Sequence, residues 1–332
     1  MAEESHPAYL SPSELGTKDY WESYYARTLA HISHEAPKNN PNANAKDQND
    51  DDAASTSSDL NEEDDPGTSW FSEHNAPQKV LHFLTRKSFP LSPRNIHKGS
   101  RQPSVLDLGT GNGSMLALLK KKGGYGGRLV GVDYSRQSVE LARELQRVRG
   151  HSAYRTDSDS EDEGEGEEDD EEDDETGAEA GSNDLPEQET SIQFEEWDIL
   201  GSKAILSETG LEVSPSPPSE ETLPWFPYHE GGFDIVLDKG TFDAVSLADD
   251  AKTTRVCERY PDIARRLVRR GGFLIVTTCN WTEEELVHWF TGGRTSGDRL
   301  AVWGRVEYPR FRFGGHEGQG VCTVCFQRLG DA

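Results

Sequence analysis

The chain has 332 residues, 33% hydrophobic and 29% charged, with a formal net charge of −27 at pH 7. Two runs, Asp47 to Asp65 and Asp157 to Thr190, hold 9 and 19 acidic residues and no basic one, so the rest is near neutral and the acidity implies no basic partner for the folded part. No stretch approaches the roughly 20 apolar residues a membrane helix needs, and four cysteines (Cys257, Cys279, Cys322, Cys325) are too sparse for a secreted disulfide scaffold.

Met1 to Leu10 has neither the basic start nor the apolar run of a signal peptide, and with the sparse cysteines this predicts a soluble intracellular protein with free thiols. Ser13 to His31 reads as a helix capped by Ser13. Leu15, Tyr20, Trp21, Tyr24, Tyr25, Leu29 and Ile32 form its apolar stripe. At helical spacing such a stripe serves either core packing or closure over a ligand. This N-terminal helical extension spans 1–38. Asn39 to Pro66 is rich in Asn, Asp, Ser and Ala and is expected to be a disordered linker.

From 67 to 332 the sequence predicts one domain. Ala76 to Thr85 is a short helix, Ser104 to Leu108 a strand, Ser114 to Lys122 a helix, Arg128 to Asp133 a strand and Gln137 to Arg149 a helix. An acidic insertion over 155–190 interrupts the domain and is expected to be disordered. Ser158 and Ser160 within it look like phosphoacceptors, although a plain solvated linker is the simpler reading. Ile192 to Glu196 is a strand. Ser214 to Glu221, rich in Ser and Pro, reads as a stiff loop. Phe233 to Asp238 is a strand, Asp249 to Leu267 contains a helix, Gly272 to Thr278 is a strand, and Thr282 to Phe290 is a helix capped by Thr282. Val302 to Tyr308 and Gly320 to Arg328 are strands with no helix between them.

Strands alternating with helices, some as unbroken apolar runs such as Phe273-Leu274-Ile275-Val276, predict a mostly parallel sheet covered on both faces. The last two strands should form an antiparallel hairpin at one edge. Up to seven strands with that ending is the α/β, Rossmann-like class I methyltransferase architecture rather than an all-parallel dinucleotide fold.

Val105-Leu106-Asp107-Leu108-Gly109-Thr110-Gly111-Asn112-Gly113 is a buried strand entering a glycine-rich turn, and Ser114 opens a helix. Glycines let the backbone approach a ligand, and the helix N-terminus offers free N–H groups and partial positive charge. The spacing differs from the dinucleotide G-x-G-x-x-G, with Ser114 in place of the third glycine. A carboxylate at Asp107 would repel a pyrophosphate but suits the ammonium of S-adenosylmethionine. Asp133 ends the next strand, where an acid binds ribose hydroxyls. In Glu196-Trp197-Asp198-Ile199, Asp198 is placed to accept from an adenine amino group while Trp197 or Ile199 packs on the ring. Leu237-Asp238-Lys239-Gly240-Thr241-Phe242-Asp243-Ala244 is an acid-rich turn at the same sheet edge. The cofactor-binding candidates are Trp70, Asp107, Gly109, Gly111, Asn112, Gly113, Asp133, Tyr134, Trp197, Asp198, Ile199 and Asp238.

The ordered part resembles the lysine methyltransferases of translation elongation factor 1-alpha. The resemblance is carried by Pro12-Ser13-Glu14-Leu15-Gly16-Thr17-Lys18-Asp19-Tyr20-Trp21, by Trp70-Phe71 and by the two core runs just quoted. It implies S-adenosylmethionine-dependent protein-lysine methylation, cytoplasmic location and elongation factor 1-alpha as substrate; spacing and composition point only to the cofactor. Methyl transfer needs an aligned amine, methyl and leaving sulfur, and exclusion of water. Asp238 is the candidate catalytic carboxylate, placed to orient the amine, with Lys239-Gly240-Thr241 shaping the rim; the alternative is that Asp238 caps the following helix. Cys322-x-x-Cys325 lacks a second ligand pair, so no metal is expected. Other readings are a small-molecule methyltransferase and a non-catalytic binding module of the same fold. A nucleic-acid enzyme is disfavoured, since no Asn/Asp-Pro-Pro-aromatic run or basic patch is present. A monomer without nucleic-acid or membrane partners is expected.

Overall fold

A computed structural model of the chain describes residues 7–35, 71, 74–149, 152–154, 191–213, 221–249, 255–292, 297–309, 311–313, 316–318 and 320–330. The expected linker 39–66, the insertion 155–190, Ser158, Ser160 and Trp70 lie outside the described residues. The described strands are β1 (Val105–Leu108), β2 (Leu129–Asp133), β3 (Gln193–Glu196), β4 (Phe233–Lys239), β5 (Val268–Thr278), β6 (Arg299–Val306), β7 (Phe311–Phe313), β8 (His316–Gly318) and β9 (Cys322–Leu329). The helices are α1 (Lys18–Glu35), α2 (Ala76–Thr85), α3 (Ser114–Lys121), α4 (Arg136–Val148), α5 (Thr241–Ser246), α6 (Val256–Leu267) and α7 (Glu283–Thr291).

Seven strands form one sheet in the order β3-β2-β1-β4-β5-β9-β6. The first five run parallel, and β9 is antiparallel to both β5 and β6. This is the class I methyltransferase sheet. The last two sheet strands form the expected antiparallel pair at one edge; β9 lies inside, between β5 and β6, and a separate β7–β8 ribbon falls between β6 and β9 in the chain. Burial explains the order. Val324, Cys325 and Phe326 in β9 are fully buried, whereas β6 is mostly half-buried or exposed, so the apolar strand goes inside and the mixed one forms the edge.

Each sheet face has its own core. Val236, Leu274, Val276 and Phe326 pack under Phe242 of α5, Tyr260 of α6 and Phe290 of α7. Val105, Ile235, Leu237 and Ile275 pack on the other face under Phe83 of α2, Leu116 of α3 and Val139 of α4. Cys322 and Cys325 belong to opposite faces. The N-terminal helix packs mainly on α4 rather than on the sheet: Trp21 and Tyr25 lie on Leu141 and Leu145, the outer side of α4, and Lys18 at its start reaches Glu196 at the end of β3 at 3.9 Å.

The helix expected from Ser13 is broken. Ser13 caps a short 3-10 turn, Glu14–Gly16, Thr17 is extended, and α1 starts at Lys18. The break lets Gly16 lie against the Leu247–Ala248 backbone, where any side-chain carbon would overlap the Leu247 carbonyl. Ser13 N–H donates to the Leu247 carbonyl at 3.0 Å. The six-residue α5 follows Gly240 at φ 81°; the sequence offered a helix after Asp238 only as an alternative and gave it no bounds, because fewer than two turns are too short to show a periodic stripe.

Candidate functional site

A cleft opens at the carboxyl ends of β1, β2 and β4, where open parallel sheets bind ligands. Its floor is the turn after β1. Gly109, Gly111 and Gly113 have φ of 58°, 57° and 75°, a region costly for residues with a Cβ. Gly111 also passes so close to α1 that a Cβ on it would sit 3.0 Å from the Tyr25 hydroxyl. Gly113 precedes the first residue of α3 and lies behind the cleft, packed against Tyr154 and Phe194. Tyr154 donates its hydroxyl to the Asn112 carbonyl at 3.0 Å, while the Asn112 side chain accepts from Ser114 N–H at 3.1 Å.

Side-chain alternation decides which acids face the cleft. Asp107 is paired with Gly131 in β2 and Leu237 in β4, so Asp107, Asp133 and Lys239 project from one face. Asp107 is 3% exposed and accepts from the Thr110 hydroxyl at 2.9 Å. Burial raises its carboxyl to about 6, against the opposing effects of that hydrogen bond and the Lys239 charge. Asp133 accepts from Gly111 N–H at 3.1 Å and the Ser138 hydroxyl at 2.8 Å through one oxygen, and from Ser135 N–H at 2.9 Å through the other. Burial raises its carboxyl and these bonds oppose the rise. Three acceptances leave the carboxylate room for one more donor.

Tyr134, Trp197, Asp198 and Ile199 line the far wall. Tyr134 donates its hydroxyl to the Thr17 carbonyl at 3.2 Å. Trp197 is edge-on to Trp225, with ring centres 5.2 Å apart. Asp198 ties its own loop by accepting from Leu200 and Gly201 N–H, both at 3.0 Å.

Asp238 is not brought to the cleft. It projects from the opposite face and is 1% exposed. One oxygen accepts from Thr241 N–H at 2.9 Å and Phe242 N–H at 3.2 Å, the other from the Tyr260 hydroxyl at 2.7 Å. Of the two roles weighed for it, this geometry serves the cap of α5, and burial pushes its carboxyl up to about 7. Thr241 in turn donates its hydroxyl to the Leu108 carbonyl at 2.7 Å, fastening α5 to the glycine turn.

Several cleft residues were not read as site residues. Gly16, Trp21, Tyr25 and Phe71 form the roof, and Ala244, Val245 and Ala248 of the α5 region form a small-residue wall. Trp21 is stacked on Tyr25 with ring centres 5.9 Å apart and donates its indole N–H to the Leu15 carbonyl at 2.8 Å. The aromatic stripe therefore serves both readings, packing on α4 and walling the cleft. The break at Gly16, which brings the stripe there, leaves no mark on hydrophobic periodicity.

A family model described as a methyltransferase domain matches residues 100–157, the β1–turn–α3–β2–α4 unit. The chain is 29% identical to the Saccharomyces cerevisiae protein-lysine N-methyltransferase EFM4, covering 96% of each chain. It is 26% identical to efm4 of Schizosaccharomyces pombe, over 96% of this chain and 95% of that one. It is 25% identical to the human EEF1A lysine methyltransferase 2, over 96% and 88%. The resemblance first seen in the Leu-Gly-Thr-Lys and Asp-Lys-Gly-Thr runs thus extends over nearly the full length.

Proposed function

We propose that this chain is an S-adenosylmethionine-dependent protein-lysine N-methyltransferase whose substrate is translation elongation factor 1-alpha. The observation that carries the cofactor is the pair of buried carboxylates, Asp107 and Asp133, on one sheet face beneath a glycine turn. A phosphate-bearing nucleotide would be repelled by Asp107, whereas a ligand with a cationic tail and a ribose diol uses both acids. The protein substrate rests on the relatives' activities over nearly the full chain.

In this reading Asp107 holds the ammonium group of the cofactor's amino-acid tail. Asp133 accepts from the ribose hydroxyls, Asp198 from the adenine amino group, and Trp197 and Ile199 flank the ring. The bound cofactor supplies a methyl group on a positively charged sulfur, open to attack by a neutral amine. Trp21, Tyr25 and Phe71 cover the cleft and exclude water, which disfavours the charged form of an incoming lysine. Asp238 acts at one remove: it fixes the start of α5, and Thr241 and Ala244 of that helix border the cleft.

The test is to incubate the purified protein with radiolabelled S-adenosylmethionine and purified elongation factor 1-alpha, then map the label by mass spectrometry. Label on a lysine side chain is the expected outcome. Label absent from the factor but present on a metabolite in extract would replace this reading with the small-molecule one.

A further inference from the structure

Among the described residues that line the cleft, three are carboxylates, Asp107, Asp133 and Asp198, and one is a cation, Lys239. Its position follows from strand geometry. Lys239 ends β4, two residues beyond the register partner of Asp107, so its side chain leaves the sheet on the same face, one strand over. Its ammonium lies 5.2 Å above the Phe71 ring, a cation–π contact that holds the long side chain over the cleft. The Lys239 charge also acts on Asp107, opposing the effect of burial on that carboxyl.

A fixed anion and a fixed cation on one face match an α-amino acid, which carries an ammonium and a carboxylate on the same carbon. Asp107 provides for the first only. We infer that Lys239 is the counter-ion for the α-carboxylate of the cofactor's amino-acid tail, so that Asp107 and Lys239 together select a zwitterion. This rests on the proposed cofactor and extends it: Lys239 is a specificity-determining residue rather than a filler of the rim.

The inference is tested by calorimetry with two ligands that differ in one group. S-Adenosylhomocysteine has the carboxylate; S-adenosyl-3-thiopropylamine, its decarboxylated counterpart, keeps the ammonium and lacks the carboxylate. The wild-type protein should bind the first tighter by on the order of ten- to a hundredfold, the range for a hydrogen bond between charged groups. Lys239→Met should erase that preference while leaving binding of the decarboxylated ligand within a few-fold. Lys239→Arg, which keeps the charge, should retain it and covers the case in which the Met variant does not fold. A preference that persists in Lys239→Met overturns the inference, as does a wild-type protein that binds both ligands equally. Wild-type protein that binds neither overturns the cofactor assignment itself, a distinct result.

Discussion

Glu22 accepts the backbone N–H of Arg136 at 3.0 Å through one carboxylate oxygen. Its other oxygen accepts the N–H of Gln137 at 3.3 Å. A side chain of α1 thereby caps the N-terminus of α4, where a negative charge meets the positive end of the helix dipole. The roof residues Trp21 and Tyr25 flank this tether within the same helix. Glu22→Ala should cost about 0.5–2 kcal/mol, the range for a lost N-cap. Its functional effect should be several-fold faster release of S-adenosylhomocysteine in stopped-flow measurements. An unchanged release rate would mean that α1 does not govern access to the cleft.

Gly16→Ala should detach the other end of the roof. Its Cβ would overlap the Leu247 carbonyl, which is backbone and cannot swing away. Overpacking of this kind costs about 1–3 kcal/mol. Because Gly16 lines the cleft, KM for the cofactor should rise together with the drop in melting temperature. A lower melting temperature with unchanged KM would separate the roof from the site.

The pH dependence of cofactor binding should follow Asp107. Its carboxyl is raised by burial to about 6, and only the ionised form pairs with an ammonium. Affinity for S-adenosylhomocysteine should therefore be level above about pH 7 and fall as pH drops through 6, approaching tenfold per unit. Asp107→Asn should bind at least about a hundredfold more weakly and show no such fall. Calorimetry across pH 5 to 8 reads both, and a variant with the same inflection would assign it to another group.

Asp238 should reveal itself in stability rather than chemistry. Burial raises its carboxyl from 3.8 to about 7, so between those values the folded protein keeps a proton that the unfolded chain releases. Its contribution is full below the lower value and is lost as pH rises through the upper one. Asp238→Asn removes this titration, so the unfolding free energy of the wild type should fall relative to that of the variant as pH rises from about 4 to about 8. Methyl transfer at saturating cofactor should fall less than about tenfold; a larger loss would put Asp238 at the reacting atoms.

Asp107 and the glycine turn were legible in the sequence because their meaning is local, a strand end, a turn and a helix start between Val105 and Ser114, and Asp133 because it ends the very next strand. The choice between Asp238 and Lys239 was not. Neighbours in a strand face opposite sides, so the sequence says that only one of the two can join Asp107 on its face. Which one depends on the register of β4 against β1, set by pairing across more than a hundred residues of chain. The place of β9 was equally hidden. Its apolar run pointed to burial, but a strand inserted beside an earlier one looks the same in sequence as a strand added at the edge. The need for Gly16 is hidden in the same way, because the Leu247 backbone that demands it lies far along the chain.

The insertion of β9 also orders the protein's synthesis. The glycine turn and the five parallel strands leave the ribosome before the strand that joins β5 to β6. Until β9 arrives, β5 offers a bare, apolar edge, and such edges recruit strands from other chains. Arg328 then latches the late strand: fully buried, it pairs with Asp298 at 2.6 Å and donates to the carbonyls of Val268 at 2.6 Å and Ser207 at 3.0 Å. The nascent chain can thus hold its cofactor turn early, while its resistance to aggregation waits for the final strand.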